Sequence, residues 1–290
     1  MKTKMFTACA PAARARFLAR LAVMFVIVVG AIGAPLQSSR ETVVKLVIQI
    51  QRADYEGDRV ALERCYNELA PFADDKELGA RVRYWRGFAQ WRKAINGFND
   101  AATPGELEEA LKRAVSEFEA AMTKAPDFID AKAAAGSTRG LLLFFYSQNP
   151  ALAPELKDPA GQREAVTKAL AYMNEAEAAE PDNPRVLWML GPIRWNFPPE
   201  RGGGQDKAIE TYEKGLKAVR ARKAVSDPLT PSWGEPELLM SLAYSQLYRK
   251  TPDVAAAEQY ARSALAIIPY WHYVKDILLP QIEAAKAKRD

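Results

Sequence analysis

The chain has 290 residues, 49% of them hydrophobic and 10% aromatic, which supplies a large core and excludes wholesale disorder. Forty basic residues stand against 36 acidic ones, but five of the cations (Lys2, Lys4, Arg14, Arg16, Arg20) and none of the acids lie in the first 33 positions. The rest is close to neutral, so charge gives no reason to expect nucleic-acid binding.

The N-terminus reads as a targeting segment. A basic start precedes the apolar run Leu21–Val29, and small residues follow at Ala31 and Gly33. The run is short for a membrane span and suits a signal peptide over residues 1–33, cut after Gly33. Export to the periplasm or beyond is expected, with membrane contact only if the segment stays uncut. Cys9 precedes the apolar run, so it does not sit where a lipid-carrying cysteine would. Cys65 is the one cysteine beyond the leader and reads as a small buried hydrophobe, so no internal disulfide staples the domain.

From residue 34 a single helical domain is expected. Val43, Leu46, Val47 and Ile50 fall at i, i+3, i+4 and i+7, which predicts a helix over 40–53, with 57–71 as its partner. A helix over 77–97 is dense in aromatics and cations. Tyr84, Phe88 and Trp91 share one face, while Trp85 and Arg92 share another with Arg81 one turn earlier. That second group reads either as core and solvated surface or as a ligand-facing wall suited to a carboxylate. Asn96-Gly97 is expected to end this helix, and Thr103-Pro104-Gly105-Glu106 to open the next.

The helix over 105–125 carries Ala114, Phe118 and Ala121 at i, i+4 and i+7, closed by Pro126. Helices over 128–147 and 162–180 follow. Leu141–Tyr146 is apolar all round and is expected to be deeply buried or to face a partner. The helix from Arg185 holds Trp188, Arg194 and Trp195, and Pro192 is expected to bend it so that Trp188 and Arg194 converge. A loop with Arg201 and Gly202-Gly203-Gly204 leads to a helix over 206–221, which Asp206 is placed to cap. A turn-rich linker precedes helices over 236–248 and 253–268, and a terminal helix restarts at Pro280.

The pattern small, large, small, proline recurs as Ala169, Met173, Ala176 and Pro181, and as Ala257, Ala261, Ala264 and Pro269. Ala208, Tyr212 and Gly215 repeat it without the proline. On these residues the chain resembles the tetratricopeptide-repeat family over about 76–270. The resemblance implies an all-α superhelix of antiparallel helix pairs with a C-terminal capping helix, the opening helices lining an inner wall. Pro126 and Pro181 are 55 residues apart, not a multiple of the family's period of about 34, so the superhelix is expected to be irregular. Pro199, Gly203-Gly204, Asp206 and Lys207-Ala208 also resemble a segment of the periplasmic helical-repeat component of tripartite transport systems. That likeness implies an exported protein that partners a solute-binding protein.

Catalytic and metal-binding constellations are not expected. His272 is the only histidine, and the triple glycine lacks the spacing of a phosphate loop. The leading reading is a non-enzymatic binding or scaffolding protein of the cell envelope that takes a protein or peptide, with no cofactor. The alternative is a solute-handling component that binds a small anionic ligand. Candidate binding residues are Arg81, Trp85, Arg92, Trp188, Arg194, Trp195 and Arg201.

Overall fold

The computed structural model describes residues 39–223 and 225–288, so the expected signal segment and cleavage point lie outside the described residues. Among the described residues every regular element is a helix. These are α1 (39–56), α2 (Arg59–Glu68), α3 (Gly79–Asn99), α4 (Pro104–Lys124), α5 (Ile129–Gln148), α6 (Pro159–Ala179), α7 (Pro184–Asn196), α8 (Gln205–Ala221), α9 (Glu235–Tyr248), α10 (Val254–Ile267) and α11 (Leu279–Ala287). A π-helical turn, Tyr273–Leu278, runs into α11, and Pro280 sits in the first turn of that helix.

Local sequence sets where the helices start. Asp58, Asp158, Asn183 and Asp253 cap α2, α6, α7 and α10 with their side chains, and Thr103 and Glu106 close a capping box on α4. Two expected boundaries move. Gly97 lies inside α3, which ends at Asn99 before the turn at Ala101, whose φ is 52°. Asp206 does not cap α8; Gly204 holds that place at φ 106°, and Asp206 pairs instead with Arg249 at 2.7 Å.

The helices pack in consecutive pairs, α3 with α4, α5 with α6, α7 with α8 and α9 with α10. The recurring motif sets the fit. Ala114, Phe118 and Ala121 are fully buried, as are Ala176, Ala208 and Ala257, with Met173 and Tyr212 nearly so. In three pairs the large residue of the second helix rests on a glycine of the first. A Cβ on Gly87 would lie 2.8 Å from the Phe118 ring, one on Gly136 2.9 Å from Met173, and one on Gly191 2.0 Å from Tyr212. Glycine is there because no side chain leaves room for the partner helix. The fourth pair has Ala261 in the large position.

From Val43 onward α1 buries Val43, Val47 and Ile50, and Cys65 is fully buried beneath it beside Gln49. The stretch Leu141–Tyr146 is not deeply buried throughout. Phe145 and Tyr146 are buried, Leu141–Leu143 are half-buried, and Phe144 is 60% exposed. Among the described residues no helix is long and apolar enough to cross a membrane.

Candidate functional site

The inner wall expected from the repeat is largely filled by the chain itself. Two segments do this: the C-terminal end of α1, and the linker that leads from α8 to α9. Trp85 is fully buried, and its Nε1 donates to the Leu229 carbonyl of the linker at 2.9 Å. Trp233 of the same linker lies 5.5 Å from Phe88, 6.3 Å from Trp91 and 5.4 Å from Trp188, ring to ring, and its Nε1 donates to the Tyr84 hydroxyl at 3.0 Å. Trp85 therefore does not stand free of the packing; it is the floor under a strap.

Arg92 does not reach into an open wall either. It is 3% exposed, its Nε donates to Asp54 Oδ1 of α1 at 2.7 Å, and the rings of Trp91 and Trp188 surround its guanidinium. Asn96 adds a bond to the Asp54 carbonyl at 3.1 Å. Next to Asp54, the Tyr55 hydroxyl donates to Glu237 Oε1 at 2.6 Å, and the Gly234 amide donates to Glu237 Oε2 at 2.9 Å. Asp54 pairs with Arg92 directly, and the charge of the same arginine also acts on Glu237. Burial pushes the Glu237 carboxyl above the usual carboxylate range despite the Tyr55 bond and the nearby Arg92, and it raises Asp54 against the pull of Arg92. A carboxylate does dock on Arg92, but it belongs to the protein's own first helix.

Trp188 and Arg194 do not converge. Trp188 points inward and its Nε1 donates to Ser241 Oγ of α9 at 2.8 Å. Arg194 points the other way, to Thr211 of α8 and Glu177 of α6, both at 2.5 Å. Pro192 does not bring them together, because six residues on a helix turn a side chain far from its starting face. The residue that shares Trp188's face is Trp195, seven positions on, and it is half-buried.

Arg201 lies exposed in the loop before α8. The glycines of that loop form no open anion cradle. The Gly202 and Gly203 amides donate to the carbonyls of Pro199 and Pro198, and the Gly204 amide to Arg194 at 2.8 Å. Arg81 is half-buried with its guanidinium 4.0 Å above the Phe128 ring, at the far end of α3 from Asp54's partner Asn96.

An aromatic strip remains. Glu237, Ser241, Tyr244 and Tyr248 recur at i, i+4, i+7 and i+11 and so share one face of α9. Ser241 meets Trp188, and α7 and α9 run in the same direction as openers of successive pairs. Seven residues further along each helix stand Trp195 on α7 and Tyr248 on α9, and the Tyr248 hydroxyl donates to Gln281 of α11 at 2.8 Å. The Tyr244 and Tyr248 rings lie 4.6 Å apart, tilted by 41° to one another, and are 41% and 45% exposed. Tyr273 lies close beneath, and burial, followed by these two tyrosines, pushes its phenol up. The same end of the molecule gathers cations. The Lys250 amide donates to Gln205 at the start of α8, and the Arg194 carbonyl accepts from the end of the Arg201 loop. Among the described residues neither the Arg201 nor the Lys250 side chain has an ion-pair partner. Sequence reasoning passed over Tyr244 and Tyr248; their spacing from Glu237 is the signal that marks them.

No protein-family model matches the chain, and no curated protein matches it either. Among solved structures it is similar to the HusA haemophore from Porphyromonas gingivalis, at a TM-score of 0.50 and 20% identity, over 73% of this chain and 94% of the other. At that identity the likeness is one of fold, all-helical and repeat-like.

Proposed function

We propose that the chain is a non-enzymatic binding protein, exported to the cell envelope by its leader, that carries a flat apolar ligand with carboxylate edges. Its site is the strip of Trp195, Tyr244 and Tyr248, and the ligand class is that of a porphyrin. The observation that carries this reading is the register of α7 and α9, which leaves aromatic faces half-open where the rest of the inner wall is filled. Exposed aromatic rings suit a planar apolar molecule, and Arg201 and Lys250 near the same end suit its carboxylates. The fold likeness to a haemophore supports the ligand class. A tryptophan and two tyrosines are also the residues that anchor protein partners, so an envelope protein on the same strip is the other outcome.

Titration with haemin and with metal-free protoporphyrin tests the reading. Saturable binding to one site is expected, read from absorbance and from quenching of tryptophan emission. Trp195→Ala and Tyr248→Ala are each expected to weaken it at least about tenfold. Absence of saturable binding by either porphyrin would sink the ligand class. Unchanged affinity in both variants would remove the strip.

A further inference from the structure

At the opposite end of the repeat, where α3, α5 and α7 begin, the surface holds a cleft of about 470 Å³, within the usual size range of small-ligand sites. The start of α3, the α4–α5 turn, the α6–α7 turn and the linker after α8 all contribute to it. Its charges are unusual in being left over. Arg185 is spent on Asp130, at 2.6 Å. Arg81 is stacked by its face on Phe128, which leaves the edge donors of its guanidinium without an acceptor among the described residues. Arg222 is exposed and makes one hydrogen bond, to the Asp182 carbonyl at 3.2 Å. Desolvation, then repulsion from Arg185, pushes its guanidinium down against the pull of Asp130, Glu180 and Asp182.

Acids line the same cleft. Glu77 and Asp127 are exposed and have no ion-pair partner among the described residues; Glu180 accepts from Asn183. Arg81 and Arg222 thus line the cleft together with the carboxylates of Glu77, Asp127 and Glu180, while Asp130 is taken by Arg185. A simple anion would gain the arginines and be repelled by the acids. A cation would meet the reverse. A molecule with both charges on one carbon satisfies both sets. The cleft also has apolar lining in Phe128, Ile129, Val225 and Pro231, beside which a hydrocarbon side chain would lose water contact.

We infer that this cleft is a binding site for a free α-amino acid with an apolar side chain, its carboxylate held by Arg81 and Arg222 and its ammonium by Glu77 and Asp127. The site is separate from the aromatic strip and stands or falls without it.

Calorimetric titration with L-leucine, L-leucinamide and N-acetyl-L-leucine is the test. Leucine should bind saturably, and each analogue, lacking one charge, should bind at least about tenfold more weakly. Arg222→Ala and Asp127→Asn remove exposed groups, so circular dichroism should match the wild type while leucine affinity falls by a similar factor. Leucine that gives no saturable heat overturns the inference. So does equal binding of all three compounds, or undiminished leucine affinity in both folded variants.

Discussion

Arg92 shows how burial decides a residue's role. Its guanidinium has the aromatic surroundings expected of a ligand clamp, yet Asp54 fills the position a ligand carboxylate would take. Arg92→Ala should cost about 3–5 kcal/mol in urea unfolding, because it leaves Asp54 charged, buried and unpaired. A cost under about 1 kcal/mol would mean that α1 is not docked as described. Glu237 supplies a pH dependence. Its carboxyl is raised in the folded state, so its contribution is full at low pH, where both states hold the proton. As pH rises past the ordinary carboxylate range, the unfolded chain ionises first and stability falls until the folded group ionises too. From about pH 4 upward the unfolding midpoint of the wild type should therefore drop, and Glu237→Gln should flatten that slope. A variant as steep as the wild type would assign the slope to other groups.

At the scale of helices, the motif positions are the part of the fold that sequence made legible. Small and large residues at i, i+4 and i+7 have no other use than close helix contact, and the glycines beneath Phe118, Met173 and Tyr212 complete it. Phe118→Ala should cost about 3–5 kcal/mol, since it empties a fully buried site between α3 and α4. Gly191→Ala should cost about 1–3 kcal/mol or more, because its methyl would overlap the Tyr212 ring; the same change at Gly140, which has open space beside it, should be nearly neutral. Equal effects at the two glycines in thermal unfolding would contradict the packing. The site was far less legible than the fold. Periodicity assigns Trp85 and Arg92 to a face of α3, but it does not say what lies against that face. The two occupants come from distant parts of the chain: Asp54 is 38 positions before Arg92, and Leu229 is 144 after Trp85. Nothing local in either segment marks its destination.

At the scale of the molecule, the central claim is that the inner wall is closed by α1 and the α8–α9 linker, leaving one aromatic strip open. The six tryptophans report on this directly. Trp85, Trp91, Trp188, Trp233 and Trp271 are each at most 7% exposed, whereas Trp195 is half-buried on the strip. Iodide quenching of tryptophan fluorescence separates the two arrangements, because the ion reaches only side chains open to water. With the wall closed, a minor fraction of the emission is quenched, Trp195→Phe abolishes that fraction, and Trp85→Phe leaves it unchanged. Quenching that persists in Trp195→Phe, or that falls in Trp85→Phe, would mean that the inner wall is open and would contradict the account.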